Sequence, residues 1–239
     1  MGSVYAGTSG WAYASWRPEF YPPKLGTADF LAHYAARLNS VEVNYSFRNL
    51  LTAELVDEWI RATPPDFIFA VKAHQEITHF KRLRGAVRET RKFFASLRAL
   101  EKSGKLGPVL FQLPPNFKCD LPRLKDFTAR LPQNFRIAFE FRHPSWFNDD
   151  AFEILRRANI ALCVAESEKL VTPDVTTAAF SYLRLRNDSY SPIAHAKLAK
   201  KVRNLAQHGD VFVYFKHEDT PEGAHHAEQL LKLSSEGQS

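Results

Sequence analysis

The chain has 239 residues, 45% of them hydrophobic, which is enough to bury one large α/β core or two small ones. Lys and Arg number 32 against 26 Asp and Glu, and the formal charge of +6 inclines the protein toward anionic partners while also fitting a simple solubility role. Low complexity and tandem repeats are absent, two cysteines exclude a disulfide framework, and neither a signal-peptide start nor a membrane-length apolar run occurs, so a soluble cytoplasmic protein is expected.

The first of eight short runs rich in Val, Ile, Phe and Leu is VYAGTSG, which leads into GTSGWAYASW. The small residues around Ser9 let backbone N–H groups approach an anion, and Trp11, Tyr13 and Trp16 offer faces on which a sugar or base could stack. Closure of a barrel entrance against Trp146 explains the same rings. A helical pattern over 27–38 precedes VEVN, which ends in Glu42 and Asn44. A second helix is predicted over 52–61 with Thr52 as its cap, then FIFAVKA, which delivers Lys72 and His74. HFKRLRGAVRETRKFF follows, with Lys81, Arg82, Arg84, Arg88, Arg91 and Lys92 on a helix predicted over 85–100. A solvated helix face and a phosphate-tracking patch both account for it.

VLFQLP contributes Gln112, a helix is predicted over 121–130, and IAFEFRH carries Glu140, Arg142 and His143. After a helix starting at Asp149 comes IALCVAES, where Cys163 reads as a buried, reduced thiol. The next connection, SEKLVTPDVTTAA, reads poorly as a helix because Pro173 interrupts it. FSYLRLR brings Arg184 and Arg186, a helix is predicted over 193–208, VFVYFKHE brings Lys216, His217 and Glu218, and a last helix is predicted over 221–233.

Eight strands alternating with helices, with no linker or composition break, predict a single (β/α)8 barrel over 1–239 with an irregular sixth βα unit; the alternative is an open doubly wound sheet. No glycine-rich dinucleotide fingerprint supports that alternative. Polar residues end nearly every strand, at the carboxyl side where barrel enzymes place their chemistry. Alternation sharpens the expectation, because residues two apart share a face of a strand. Ile137, Phe139 and Phe141 should face the helices, with Ala138, Glu140 and Arg142 facing the barrel interior. The same parity sends Lys72, His74, Arg184 and Arg186 inward.

These motifs resemble the YecE-like family, also called domain of unknown function 72. The resemblance runs essentially end to end, through GTSGWAYASW, VEVN with SF, FAVKA with ITH, LGPVLFQLPP, FRIAFEFRHPSWF, YLRL and VYFKHEDTPEGA. It implies a barrel of the triosephosphate-isomerase type and brings no reaction with it. The chain departs from the family pattern at Arg48, where Tyr is common, at Arg186, where His is common, and at Lys216 and His217, where two Asn are common. Each departure adds positive charge to the mouth.

The expected function is acid–base chemistry, as a hydrolase, lyase or isomerase, on a small substrate bearing phosphate or carboxylate, of sugar or nucleotide type. Glu140, Arg142, His143, Glu42 and Lys72 are the catalytic candidates: carboxylates whose pKa a desolvated mouth can raise, beside cations that oppose the shift. Ser9, Trp11, Tyr13, Trp16, Asn44, His74, Gln112, Trp146, Arg184, Arg186, Lys216 and His217 are the substrate-binding candidates, the arginines for bidentate capture of an anion. No cofactor is expected. His74, Glu140, His143, Glu166, His217 and Glu218 could ligate a divalent metal, but the interleaved Lys72, Arg142, Arg184 and Lys216 would repel it. A module that binds nucleic acid without catalysis is the rival class, and a metal-dependent barrel of nuclease or isomerase type is the other alternative.

Overall fold

The computed structural model describes residues 1–166, 170–187, 189–216 and 219–235. Eight parallel strands form one sheet in the order β1-β8-β7-β6-β5-β4-β3-β2. The strands are β1 Val4–Thr8, β2 Ser40–Val43, β3 Ile68–Lys72, β4 Leu106–Gln112, β5 Ile137–Glu140, β6 Ala161–Ala165, β7 Ser181–Leu185 and β8 Val211–Phe215. Helices α1 Phe30–Ala35, α2 Ala53–Ala62, α3 Val87–Ser96, α4 Arg98–Lys102, α5 Leu121–Thr128, α6 Asp149–Arg157, α7 Pro192–Ala206 and α8 Glu222–Ser235 supply the outer layer. This is the TIM-type barrel expected. No helix of the described residues is long and apolar enough to cross a membrane.

The barrel closes between β1 and β2 through side chains instead of a backbone ladder. Asn39 accepts the Ala6 N–H at 2.9 Å and donates to the Val4 carbonyl at 2.9 Å. The Tyr34 hydroxyl accepts the Thr8 N–H and donates to the Ser40 carbonyl. Buried backbone groups at this seam are thereby satisfied, which a bare gap would forbid. Gly7 permits the approach, since a Cβ there would stand 1.8 Å from the Ser40 carbonyl oxygen.

Local sequence explains most element ends. The Thr52 hydroxyl accepts the Leu55 N–H to start α2, and Asn148, not Asp149, caps α6 by accepting the Ala151 N–H. The helix predicted over 85–100 is two helices that meet at Leu97, a fully buried residue. Pro108 lies inside β4, where the β3–β4 register shifts between Phe69 and Val71. Proline has no N–H for the ladder, so the irregularity falls where a bond could not form. The sixth connection has no helix among its described residues; the Thr172 and Thr177 hydroxyls bond the backbone of 160–165 and hold it along β6.

Two sets of buried residues follow the strand alternation. Phe69, Val71, Val109, Phe111, Ile137, Phe139, Phe141, Leu183 and Leu185 pack outward against the helices. Ala70, Leu110, Ala138, Ala161, Cys163, Tyr182, Phe212 and Tyr214 fill the barrel. Small residues on β3, β5 and β6 leave room for the large rings of β7 and β8, so the interior is packed and is not a pore. One step of two residues toward the carboxyl ends turns this apolar plug into charge: Ser40 gives way to Glu42, Ala70 to Lys72, Ala138 to Glu140, Tyr182 to Arg184 and Tyr214 to Lys216.

Candidate functional site

Arg184 organises the charged layer. Its Nη1 donates to Glu140 Oε2 at 2.5 Å and its Nη2 to Glu42 Oε1 at 2.8 Å, and all three side chains are at most 1% exposed. Glu42 also accepts from the Ser9 hydroxyl at 2.7 Å and the Tyr182 hydroxyl at 2.6 Å. Glu140 also accepts from Gln112 Nε2 at 2.9 Å and Arg142 Nε at 2.5 Å, with Arg186 Nη2 3.9 Å from its Oε1. A buried ion pair is tolerated when further hydrogen bonds satisfy its charged groups, and here all four carboxylate oxygens of Glu42 and Glu140 are bonded.

This geometry removes Glu140 as a neutral-pH base. Burial pushes its carboxyl up, but the guanidinium groups of Arg184, Arg142 and Arg186 together with Gln112 bring it down to about 2. Arg184 itself is driven well above its ordinary value, because its two carboxylates outweigh its burial. Glu140 and Arg184 therefore stay ionised throughout the physiological range.

Lys72 is different. Its ammonium lies 4.2 Å from the centre of the Phe47 ring and has no carboxylate within ion-pairing distance among the described residues. Burial, then the charges of Arg184 and Lys216, lower its pKa to about 8 against the opposing pull of Glu42 and Glu140. The cavity in front of it, about 380 Å³, is lined by Asn44, Tyr45, Phe47, Arg48, Asn49, Lys72, Arg184 and Lys216. Asn44 Oδ1, Arg184 Nε and Arg186 Nε are buried polar atoms without a partner among the described residues. Burial and the neighbouring charges of Arg142 and Arg184 also depress the pKa of Arg186, a sign of cations crowded together.

A larger depression, about 1090 Å³, lies on the outer flank between α3, α4 and α5. No strand end reaches it, and the ionised residues of the barrel axis are absent from its lining, so the mouth is the candidate site despite its smaller volume.

Of the residues expected at the site, Glu42, Glu140, Arg142, Arg184, Arg186, Gln112 and Ser9 meet in one hydrogen-bonded and ion-paired network, and Lys72, Asn44 and Lys216 line the cavity beside it. Trp16 and Trp146 do not join them. Trp16 is fully buried against Phe20 and Tyr21, and Trp146 is fully buried, stacked on Phe141, with its indole N–H donated to the Phe117 carbonyl. Neither presents a ring face to a ligand, and Trp146 closes nothing against the first loop. Trp11 sets its edge on Trp59, and the Tyr13 hydroxyl donates to the Ser9 carbonyl.

His143 accepts the Ser145 N–H and caps a 3-10 turn over Pro144–Trp146, because β5 ends at Glu140, before the expected His143. His74 bonds the Arg48 carbonyl and the Glu76 N–H. His217 and Glu218 lie outside the described residues. Among the described residues no group of three or more His, Cys, Asp or Glu is placed to hold a metal ion. In the basic segment, Lys81 pairs with Glu89 and Arg82 reaches Asn116, while Arg88, Arg91 and Lys92 are exposed on α3.

Three residues at the mouth escaped the sequence reading. Tyr182 shares a face with Arg184, and alternation alone would have found it. Phe47 and His79 were visible only as parts of the SF and ITH motifs. His79 lies in a π-helical turn, Glu76–Phe80, a geometry frequent at functional sites. Its ring meets the Phe47 ring edge-on at 4.9 Å, so Lys72 and His79 flank one phenyl ring. Burial, then the charges of Lys72, Arg142 and Arg82, lower its pKa.

The family described as "Protein of unknown function DUF72" matches residues 5–239. A crystal structure of a DUF72 family protein (TM1631) from Thermotoga maritima is similar to this chain with a TM-score of 0.87 and 27% identity, covering 98% of this chain and 99% of that one. The UPF0759 protein YunF of Bacillus subtilis is 32% identical over 158 residues, 63% of this chain and 54% of that protein. The UPF0759 protein YecE of Escherichia coli K12 is 31% identical over 145 residues, 60% of this chain and 50% of its own length. The chain thus spans about half the length of the curated relatives it matches.

Proposed function

We propose that this chain, which belongs to the DUF72 family, binds a small substrate bearing a phosphate or carboxylate at the carboxyl mouth of its barrel and carries out proton transfer on it. One observation carries the reading: among the described residues, Glu42 and Glu140 are already bonded, and Lys72 opens on the cavity with no carboxylate in ion-pairing distance. Glu42 and Glu140 are bonded by Arg184, Arg142, Ser9, Tyr182 and Gln112, which leaves Lys72 without a carboxylate in ion-pairing distance among the described residues, and Arg186 with only the 3.9 Å approach to Glu140. An incoming anion completes the balance, with the planar guanidinium of Arg186 suited to a two-oxygen grip.

The roles divide by electrostatics. Glu140 and Arg184 form a permanently charged floor, tied to Glu42 through the second arm of the guanidinium, that orients the groups above it. Lys72, with a pKa of about 8, is the group that exchanges a proton near neutrality, and its desolvated position suits that work. Asn44 Oδ1 offers a hydrogen-bond acceptor for a substrate hydroxyl.

A thermal-shift screen with sugar phosphates, sugar acids, nucleotides and uncharged sugars tests the reading. A ligand that binds the native state raises its apparent stability in proportion to concentration over affinity. Anionic compounds should raise Tm in the wild type and do so less in Arg186→Leu. Stabilisation by uncharged sugars alone, or by none of these compounds, would overturn it.

A further inference from the structure

We infer that Lys72 is a nucleophile, whose amine forms an imine with the carbonyl carbon of an aldehyde or ketone that also bears a carboxylate or phosphate. The inference rests on the anionic-substrate reading of the mouth and names the second functional group that such a substrate carries.

Position argues first. Lys72 is the last residue of β3 and stands directly above Ala70 on the inward face, so its stem rises from the packed plug and its nitrogen opens on the 380 Å³ cavity. The Phe47 ring covers one side of it. An amine held there only for its charge would be expected to meet a carboxylate, and Arg184 has already claimed both. Arginines hold fixed charge beside it at every relevant pH, so a lysine placed among them adds what a guanidinium lacks, a nitrogen lone pair that desolvation and neighbouring cations expose. The lowered pKa of Lys72 agrees with this geometry.

A proton carrier stands nearby. His79 meets the edge of the same phenyl ring, its Nδ1 bonds the Thr78 hydroxyl at 2.8 Å, and its Nε2 has no partner among the described residues. In the step proposed, the neutral Lys72 nitrogen attacks the carbonyl carbon, forming a C–N bond while the C–O π pair moves to oxygen. Oxygen then takes one of the two protons of the attacking nitrogen, and the His79 imidazole, on the same phenyl ring, is the group assigned to relay it. The resulting carbinolamine loses its hydroxyl as water while nitrogen loses its remaining proton and forms the C=N bond. Amine and carbonyl become imine and water, with no oxidant or reductant consumed. The phosphate or carboxylate of the substrate sits against the cations that line the same cavity, Arg48 and Lys216, with Arg186 two residues beyond Arg184 at its rim.

The full chain is incubated with pyruvate, with dihydroxyacetone phosphate or with uncharged dihydroxyacetone, each with sodium cyanoborohydride, which reduces an imine to a stable secondary amine. Intact mass and peptide mapping then locate the product. The expected result is one adduct per chain, on Lys72, from at least one anionic carbonyl, with markedly less from dihydroxyacetone and none on that peptide in Lys72→Arg. Labelling by pyruvate alone assigns a carboxylate substrate, and labelling by dihydroxyacetone phosphate alone assigns a phosphate. No adduct on Lys72, or labelling spread evenly over exposed lysines, overturns the inference. Because the adduct is mapped in the wild type, the conclusion survives a variant that fails to fold. Lactate and glycerol 3-phosphate, which lack the carbonyl, separate the two readings: a Tm rise without an adduct leaves the anion site standing and removes the imine, and neither signal removes both.

Discussion

Arg184 and Glu140 meet at 2.5 Å inside the barrel with side chains 1% and 0% exposed, and Glu42 takes the other arm of the same guanidinium. Burying either ion alone would be far more costly than burying the pair, so each side chain fixes the others. The proposed site at the mouth thus rests on a structural ion network, and the two roles separate by depth.

Arg184→Met should destabilise the fold by roughly 3–5 kcal/mol, because it strands two buried carboxylates. Arg142→Met removes a partly exposed partner, 27% exposed, from a carboxylate that keeps Arg184 and Gln112, and should cost at most about 1–2 kcal/mol. Urea denaturation midpoints check the ranking; equal losses for the two variants would remove the distinction between floor and mouth.

Stability should rise with pH between about 8 and the ordinary lysine range. Lys72 titrates at about 8 when folded, so within that window the unfolded chain binds more protons and raising pH favours the fold. Below pH 8 the buried ammonium is a fixed cost of roughly 2–3 kcal/mol, and Lys72→Met should recover much of it at pH 7 while flattening the alkaline rise. Denaturation curves at pH 7 and pH 10 for both proteins measure the difference.

Acid acts in the opposite sense through Glu140. Its folded pKa of about 2 lies below the unfolded value, so its stabilisation is complete above the ordinary carboxylate range and is lost as pH falls toward 2. Glu140→Gln should lower stability at pH 7 and narrow the gap to wild type as pH falls toward 2. A gap constant over that interval, by acid titration of the denaturation midpoint, would refute the assignment of a depressed pKa.

Asn39→Ala should open the β1–β2 seam. It leaves the Ala6 N–H and the Val4 carbonyl without their partner, at roughly 1–3 kcal/mol for a stranded buried group. Amide exchange at Ala6 should accelerate more than at Phe139, on the far side of the barrel. Uniform acceleration would indicate global loss of stability in place of a local seam.

Strand alternation by itself determined which side chains of IAFEFRH and FSYLRLR face the helices and which face the barrel axis. That division is local geometry, since successive side chains of a strand must point to opposite sides. The eight apolar runs, the Thr52 cap and the Pro173 interruption were equally legible, because caps and breakers act within a few residues. Only the tertiary structure decided what the polar residues do there. Glu42 and Glu140 are nearly a hundred residues apart, and Arg184 joins them only because β2, β5 and β7 curl around one axis. The same closure decided that Glu140 is a permanent charge and that Lys72 is left to titrate, since a pKa is set by the sum of burial and neighbouring charge. Trp16 and Trp146 make the complementary case: their aromatic character was plain in the sequence, but only packing against Tyr21 and Phe141 made them core.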